Sequence, residues 1–157
     1  MSIEVGDHCP DVSGIDQSGN TVRLADVWRN NVLVLFFYPK DGTSVCTQEA
    51  CSFRDTHEEF LGSGAEVLGV SGDSAARHQR FIAEHRLPYR LLSDSHSALR
   101  KAFGVPRFMG FMPGRATYVI DKTGIVRHIV NGHLVSEPHI KEALSVVKRF
   151  QTDGDKS

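Results

Sequence analysis

The sequence predicts an α/β domain organised around one apolar strand that is covered on both faces. Three observations predict it. The run Val32–Phe37 is apolar at every position, as expected of a strand with no solvent-facing side. A helical stripe follows, with Cys46, Ala50, Phe53, His57 and Phe60 at i, i+4, i+7, i+11 and i+14. A second strand over 66–71 then closes a β-α-β unit, which calls for parallel strands and a right-handed crossover.

The remaining elements follow in order. Residues 1–31 read as a lead-in, with 11–15 and 21–24 flanking the turn Gln17-Ser-Gly-Asn20 in a small hairpin. Cys9, between His8 and Pro10, reads first as a small packed side chain, with an incidental or resolving thiol as the alternative. The helix over 44–61 ends at Gly62-Ser-Gly64. Asp73 or Ser74 caps a helix reaching about Arg86 and stopped by Pro88; a short strand at 89–92 and a short helix at 97–103 come next. Residues 104–115 form an apolar loop with two Phe-Met pairs, packed over the core or lining a substrate mouth or dimer contact. Strands at 116–120 and 125–130 are joined through Asp121-Lys-Thr-Gly124, with glycine where positive φ is wanted. The last helix starts near Ser136 with Ile140, Ala143, Leu144 and Val147 as its buried stripe, and the polar residues 151–157 are expected to fray. The order β-α-β-α, then β-β-α, is the thioredoxin arrangement with an N-terminal β-hairpin and a central insertion. One such domain spans 1–157.

Composition narrows the function classes. A formal net charge of −1 gives no electrostatic reason to expect nucleic acid or an anionic membrane. No apolar stretch approaches the roughly 18 residues of a membrane-spanning helix. The eight histidines are too scattered to suggest a metal site, and nothing calls for a cofactor. The N-terminus lacks a basic segment followed by an apolar one, so the expected location is cytoplasmic. Three cysteines in such a chain point to reactive chemistry before a structural disulfide framework.

The chemistry concentrates in residues 39–51, Pro-Lys-Asp-Gly-Thr-Ser-Val-Cys-Thr-Gln-Glu-Ala-Cys. With Thr43 or Ser44 as N-cap, Cys46 falls in the first helical turn. There the unpaired backbone N–H groups and the positive end of the helix dipole favour a thiolate. Helix N-termini can lower a cysteine from about 8.5 to between about 3.5 and 7.5. Cys46 is therefore a candidate nucleophile.

The pattern Pro39-x-x-x-Thr43-x-x-Cys46 resembles the active-site signature of the peroxiredoxins. The longer run Phe-Tyr-Pro-Lys-Asp…Thr43…Cys46-Thr-x-Glu49-Ala-Cys51 is similar to the PrxQ or bacterioferritin comigratory protein subfamily. The likeness extends over nearly the whole chain, including Arg115-Ala-Thr-Tyr-Val-Ile-Asp-Lys-Thr-Gly124. The chain departs at Gly42 and Ser44-Val45, where the subfamily more often carries an acid and then Pro-Gly; Pro39, Thr43 and Cys46 are untouched. The resemblance implies a thiol-dependent peroxidase acting on hydrogen peroxide and organic hydroperoxides, recycled by thioredoxin or a similar dithiol protein. It also implies a monomer or at most a weak dimer.

Each residue has a physical task in that reaction. In-line attack on an O–O bond needs a stabilised thiolate and donors to both oxygens. Thr43 offers a hydroxyl, and Pro39, lacking an N–H, would shield the sulfur from water. Arg54 lies eight residues beyond Cys46 on the same helix, about 12 Å of rise away, too far to serve as the cation. Arg115 matches the family's active-site arginine and opens a strand that could reach the pocket, with Glu49 to orient it. The sulfenic acid formed on Cys46 must be resolved by a second thiol, and Cys51 is the nearest candidate. In an intact helix their α-carbons would stand roughly 8.6 Å apart, whereas a disulfide needs less than about 7 Å, so the first turn would have to unwind. The alternative is a peroxide sensor or redox relay without efficient turnover; a disulfide oxidoreductase is disfavoured by the lack of Cys-x-x-Cys.

Overall fold

The computed structural model describes residues 3–39, 41–42, 44–94, 97–105, 115–131 and 137–155. The chain opens with strands β1 (Ser13–Asp16) and β2 (Thr21–Arg23) and a short helix α1 (Leu24–Trp28). The β-α-β unit follows as β3 (Val32–Phe37), α2 (Ser44–Gly62) and β4 (Ala65–Ser71). Then come α3 (Ala75–His85), β5 (Arg90–Ser93) and α4 (Ala98–Phe103). The C-terminal part is β6 (Ala116–Ile120), β7 (Val126–Asn131) and α5 (Glu137–Asp155). The strands form one mixed sheet in the order β2-β1-β5-β4-β3-β6-β7. Strand β3 pairs in parallel with β4 and antiparallel with β6, as a thioredoxin-type core requires.

The all-apolar character of β3 follows from its central place. Its side chains alternate between two cores, as strand geometry demands. Val32, Val34 and Phe36 join the core beneath α2, α3 and α5, with Phe53, Phe60, Phe81, Ile140 and Val147. Leu33, Leu35 and Phe37 join the opposite core, against α1 and α4, with Leu24, Trp28, Leu99 and Phe103. On α2 the expected stripe is buried at Ala50, Phe53, His57 and Phe60. Phe53 stacks on Phe36 with ring centroids 4.5 Å apart, a contact worth about 1 kcal/mol beyond the area it buries. The middle of the helix is thus fastened to the sheet one to two turns beyond Cys46. No helix among the described residues is long and apolar enough to cross a membrane.

Three expectations need correction. Leu24 does not end the hairpin's second strand; it opens α1, because Leu24, Ala25, Val27 and Trp28 all bury one face of a single helical turn. The short helix α4 starts at Ala98 and not at residue 97, because Ser97 has a φ of 58° that turns the chain. The Asp94 carboxylate accepts from the N–H groups of Leu99 and Arg100, 3.0 Å each. Helix α5 continues to Asp155 through residues expected to fray, since each further residue adds a backbone hydrogen bond once a helix is nucleated. Of the apolar loop at 104–115, residues 106–114 lie outside the described residues.

Candidate active site

The end of β3 and the start of α2 bring the site together. Helix α2 begins at Ser44, so Cys46 is its third residue and sits in the first turn, where backbone N–H groups lack intrahelical acceptors. Thr43, Lys40 and the side chains of Ser44, Val45 and Cys46 lie outside the described residues. Pro39 is half-buried where the chain leaves β3.

Arg115 reaches this end of the sheet through strand register. Ala116 pairs with Phe37, so the preceding residue lies at the edge from which the chain runs into α2. Arg115 is buried, and its Nη1 donates to Glu49 Oε1 at 2.9 Å. Glu49 lies three residues beyond Cys46, on a neighbouring position of the helix surface. The guanidinium is thereby held at Glu49, in the second turn of α2. Arg54, by contrast, directs its Nη1 to the His85 carbonyl at 2.8 Å and its Nε to Asp55.

Glu49 is wholly buried, and its second oxygen, Oε2, has no hydrogen-bond partner among the described residues. Burial pushes its carboxyl up to about 7, against the opposing pull of the Arg115 charge. Near neutral pH the pair is therefore balanced between an ion pair and a neutral acid beside a cation.

Cys51 is free and half-buried in the second turn of α2, in the same continuous helix as Cys46. The neighbouring Ala50 carbonyl accepts from the Tyr89 hydroxyl at 2.7 Å, a tie from β5's approach segment to the helix between Cys46 and Cys51. Cys9 lies in the other core. It is buried, its thiol faces the Pro10 carbonyl at 3.6 Å, and burial with the nearby Asp11 charge pushes it up to about 12. A thiol so protonated is a poor nucleophile. Cys9→Ser is expected to leave peroxide consumption unchanged, and iodoacetamide to leave Cys9 unlabelled in the folded chain; labelling at Cys9 comparable to Cys51 would contradict this.

One cluster escaped sequence reading. Under the loop between β3 and α2, Tyr38, Asp41, Ser71, Asp73 and His78 are all buried and joined by hydrogen bonds. The Tyr38 hydroxyl donates to Asp41 Oδ1, and Asp41 Oδ2 meets His78 Nδ1 at 2.6 Å. Asp73 Oδ2 accepts from the Asp41 N–H and from the Ser71 hydroxyl, both at 2.7 Å. Ligand atoms of Asp41, Asp73 and His78 fall within 4.8 Å of one another; these hydrogen bonds, with the ion pair of Asp73 Oδ1 to Arg77 Nε at 3.5 Å and with His78 Nε2 facing the Leu92 carbonyl at 3.1 Å, give each of those side-chain polar atoms a protein partner. A signal was present: His78, Phe81, Ile82 and His85 recur at i, i+3, i+4 and i+7, which puts a histidine on the buried face of α3.

Comparison with known proteins agrees with this arrangement. The AhpC/TSA family model matches residues 5–129. Chloroplastic peroxiredoxin Q of Triticum aestivum is 46% identical over 136 residues, covering 86% of this chain and 62% of that protein. The Arabidopsis thaliana counterpart is 45% identical over 147 residues, covering 93% of this chain and 68% of that one. The chain thus spans about two thirds of the length of these relatives. Among solved structures, peroxidoxin BcpB of Mycobacterium tuberculosis superposes with a TM-score of 0.86 at 34% identity, covering 94% of this chain and 97% of that one. The bacterioferritin comigratory protein of Xanthomonas campestris superposes at 0.84 with 27% identity, over 94% and 99% of the two chains. That structure bears on its own protein's alkyl peroxide reduction activity.

Proposed function

Because the chain belongs to the AhpC/TSA family and, within it, to the peroxiredoxin Q group, we propose that it is a thiol peroxidase acting on hydrogen peroxide and organic hydroperoxides. The observation that carries this reading is the buried Arg115–Glu49 pair beside the helical turn that bears Cys46. A fixed cation there stabilises a thiolate and the negative charge that develops on the departing oxygen.

In the proposed cycle the Cys46 thiolate attacks one peroxide oxygen. An S–O bond forms as the O–O bond breaks, and the departing hydroxide or alkoxide takes up a proton. The sulfenic acid on Cys46 is then attacked by Cys51, forming a disulfide and releasing water. A thioredoxin-type dithiol supplies the two electrons that restore both thiols. Thr43 would donate to the bound peroxide, Pro39 would exclude water, and Glu49 orients Arg115.

Disulfide formation requires a local opening of α2. In a regular helix the Cys46 and Cys51 α-carbons stand roughly 8.6 Å apart, beyond the reach of a disulfide. Phe53 holds the helix beyond Cys51, so unwinding is confined to its first turns, and the Tyr89–Ala50 bond lies within the stretch between the two cysteines. The Glu49–Arg115 pair is the contact nearest the opening that must yield or persist.

Stopped-flow peroxide consumption with thioredoxin and its reductase tests the function. Many turnovers per chain support the peroxidase; one oxidation without recycling supports a sensor or relay instead.

The raised Glu49 also carries a pH prediction. Between about 4.5 and 7 the folded chain holds a proton on Glu49 that the unfolded chain has lost. Glu49 therefore lowers stability as pH rises through that window. Measured by urea unfolding, wild type should lose stability relative to Glu49→Gln between pH 5 and pH 8. A constant difference would show that Glu49 does not titrate there.

A further inference from the structure

The buried polar cluster beneath the β3–α2 loop has no part in the chemistry described so far. Its geometry assigns it one. The loop is fastened at its entry by Tyr38, whose N–H donates to the Val70 carbonyl at 3.0 Å and whose carbonyl accepts from Arg100 Nη2 at 2.7 Å. Three residues later it is fastened again at Asp41, through its backbone N–H to Asp73 and through its carboxylate to Tyr38 and His78. Gly42 then turns the chain with φ of 83°, and α2 begins at Ser44. Asp41 is thus the last side-chain anchor among the described residues before the reactive turn.

His78 is fully buried and holds both ends of its ring. Nε2 faces the Leu92 carbonyl at 3.1 Å; a carbonyl only accepts, so Nε2 carries a proton and donates. Nδ1 and Asp41 Oδ2 face each other at 2.6 Å and share one further proton. The ring is therefore a strut from β5 to the loop. Burying an Asp and a His here is costly, and apolar residues of equal volume would give comparable or greater stability. What a satisfied polar network adds is a unique placement of the groups it joins.

We propose that His78 is a positioning residue for the peroxide reaction: through Asp41 and Tyr38 it fixes the loop that presents Cys46 and holds it while the first turn of α2 unwinds and re-forms. This rests on Cys46 being the peroxide-reactive thiol. In-line attack tolerates little displacement, and a shift of about 1 Å can cost on the order of a hundredfold in rate. An anchor outside the unwinding segment returns Cys46 to the same place in each cycle.

The two arms of the ring can be cut separately. In His78→Asn the amide nitrogen can take the place of Nδ1 and keep the bond to Asp41 while losing Leu92. In His78→Gln the longer side chain can keep the Leu92 bond while losing Asp41. Each substitution forfeits one buried hydrogen bond, so the losses in Tm should be similar. The second-order rate of Cys46 oxidation by hydrogen peroxide, measured in a single turnover, should fall about ten- to a hundredfold in His78→Gln and stay within about threefold of wild type in His78→Asn. Tyr38→Phe, which keeps the ring and removes only the hydroxyl bond to Asp41, should give an intermediate loss with the chain folded. Equal rates in His78→Asn and His78→Gln, whether both reduced or both normal, would overturn the assignment. A wild-type chain that itself fails to react would instead overturn the peroxidase reading, so the two failures are distinct.

Discussion

Cys46→Ser is expected to abolish peroxide consumption, lowering the rate by on the order of ten-thousandfold or more, as removal of a nucleophile does in other enzymes. The reason is chemical before it is structural. In the proposed cycle the helix N-terminus and the Arg115–Glu49 pair favour a thiolate, whereas a serine hydroxyl stays protonated under the same influences. The substitution is nearly isosteric, so the fold should persist and the Tm should change little. Loss of activity with the thermal transition retained, followed by peroxide assay and calorimetry, is the expected pair of results. A serine variant that keeps full turnover would move the nucleophile elsewhere, and neither remaining thiol is well placed. Cys9 is buried and held protonated, and Cys51 lies in the second turn, away from the helix terminus.

Cys51→Ser should separate the two halves of the cycle. The variant is expected to consume one equivalent of peroxide per chain at a rate close to wild type and then to stop in the presence of thioredoxin. Without a second thiol the sulfenic acid on Cys46 persists, and excess peroxide carries it on to the sulfinic acid. Intact-mass measurement should therefore find one added oxygen after one equivalent and two after an excess. Wild type should instead lose two hydrogens as the disulfide forms. Continued turnover of Cys51→Ser with thioredoxin would mean that the reductant attacks the sulfenic acid directly and that α2 need not open.

The fold was largely legible because its decisive elements are written in local pattern. A six-residue apolar run bounded by Asn30-Asn31 and Pro39 reads as a strand with both faces covered, and β3 divides its side chains between two cores. The stripe from Ala50 to Phe60 needed no tertiary information, since helix period and burial coincide. The features that stayed hidden are those set by partners distant in sequence. The pairing of β1 with β5 joins Ile15 to Ser93, and nothing in either segment names the other. Helix α1 is a single turn whose identity is set by what Leu24 and Trp28 pack against.

The site divides in the same way. Cys46, Thr43 and Pro39 fall in one contiguous signature, and Arg115 and Glu49 could be matched by motif even though 66 residues separate them. The bond from Asp41 to His78 spans 37 residues: Asp41 falls within the run that resembles the family signature, but His78 does not, and nothing in either segment names the other. Only the three-dimensional arrangement puts them on either side of one proton. In the proposed cycle the same bonds hold the loop at Asp41 while the first turns of α2 open.

The central claim is that residues 44–51 serve two states, a helix that activates Cys46 and an unwound form in which Cys51 reaches it. Disulfide mapping by mass spectrometry after one equivalent of hydrogen peroxide, with free thiols blocked before digestion, tests it most directly. A Cys46–Cys51 linkage within one chain is the expected result. A Cys46–Cys9 linkage, or one between two chains, would contradict it.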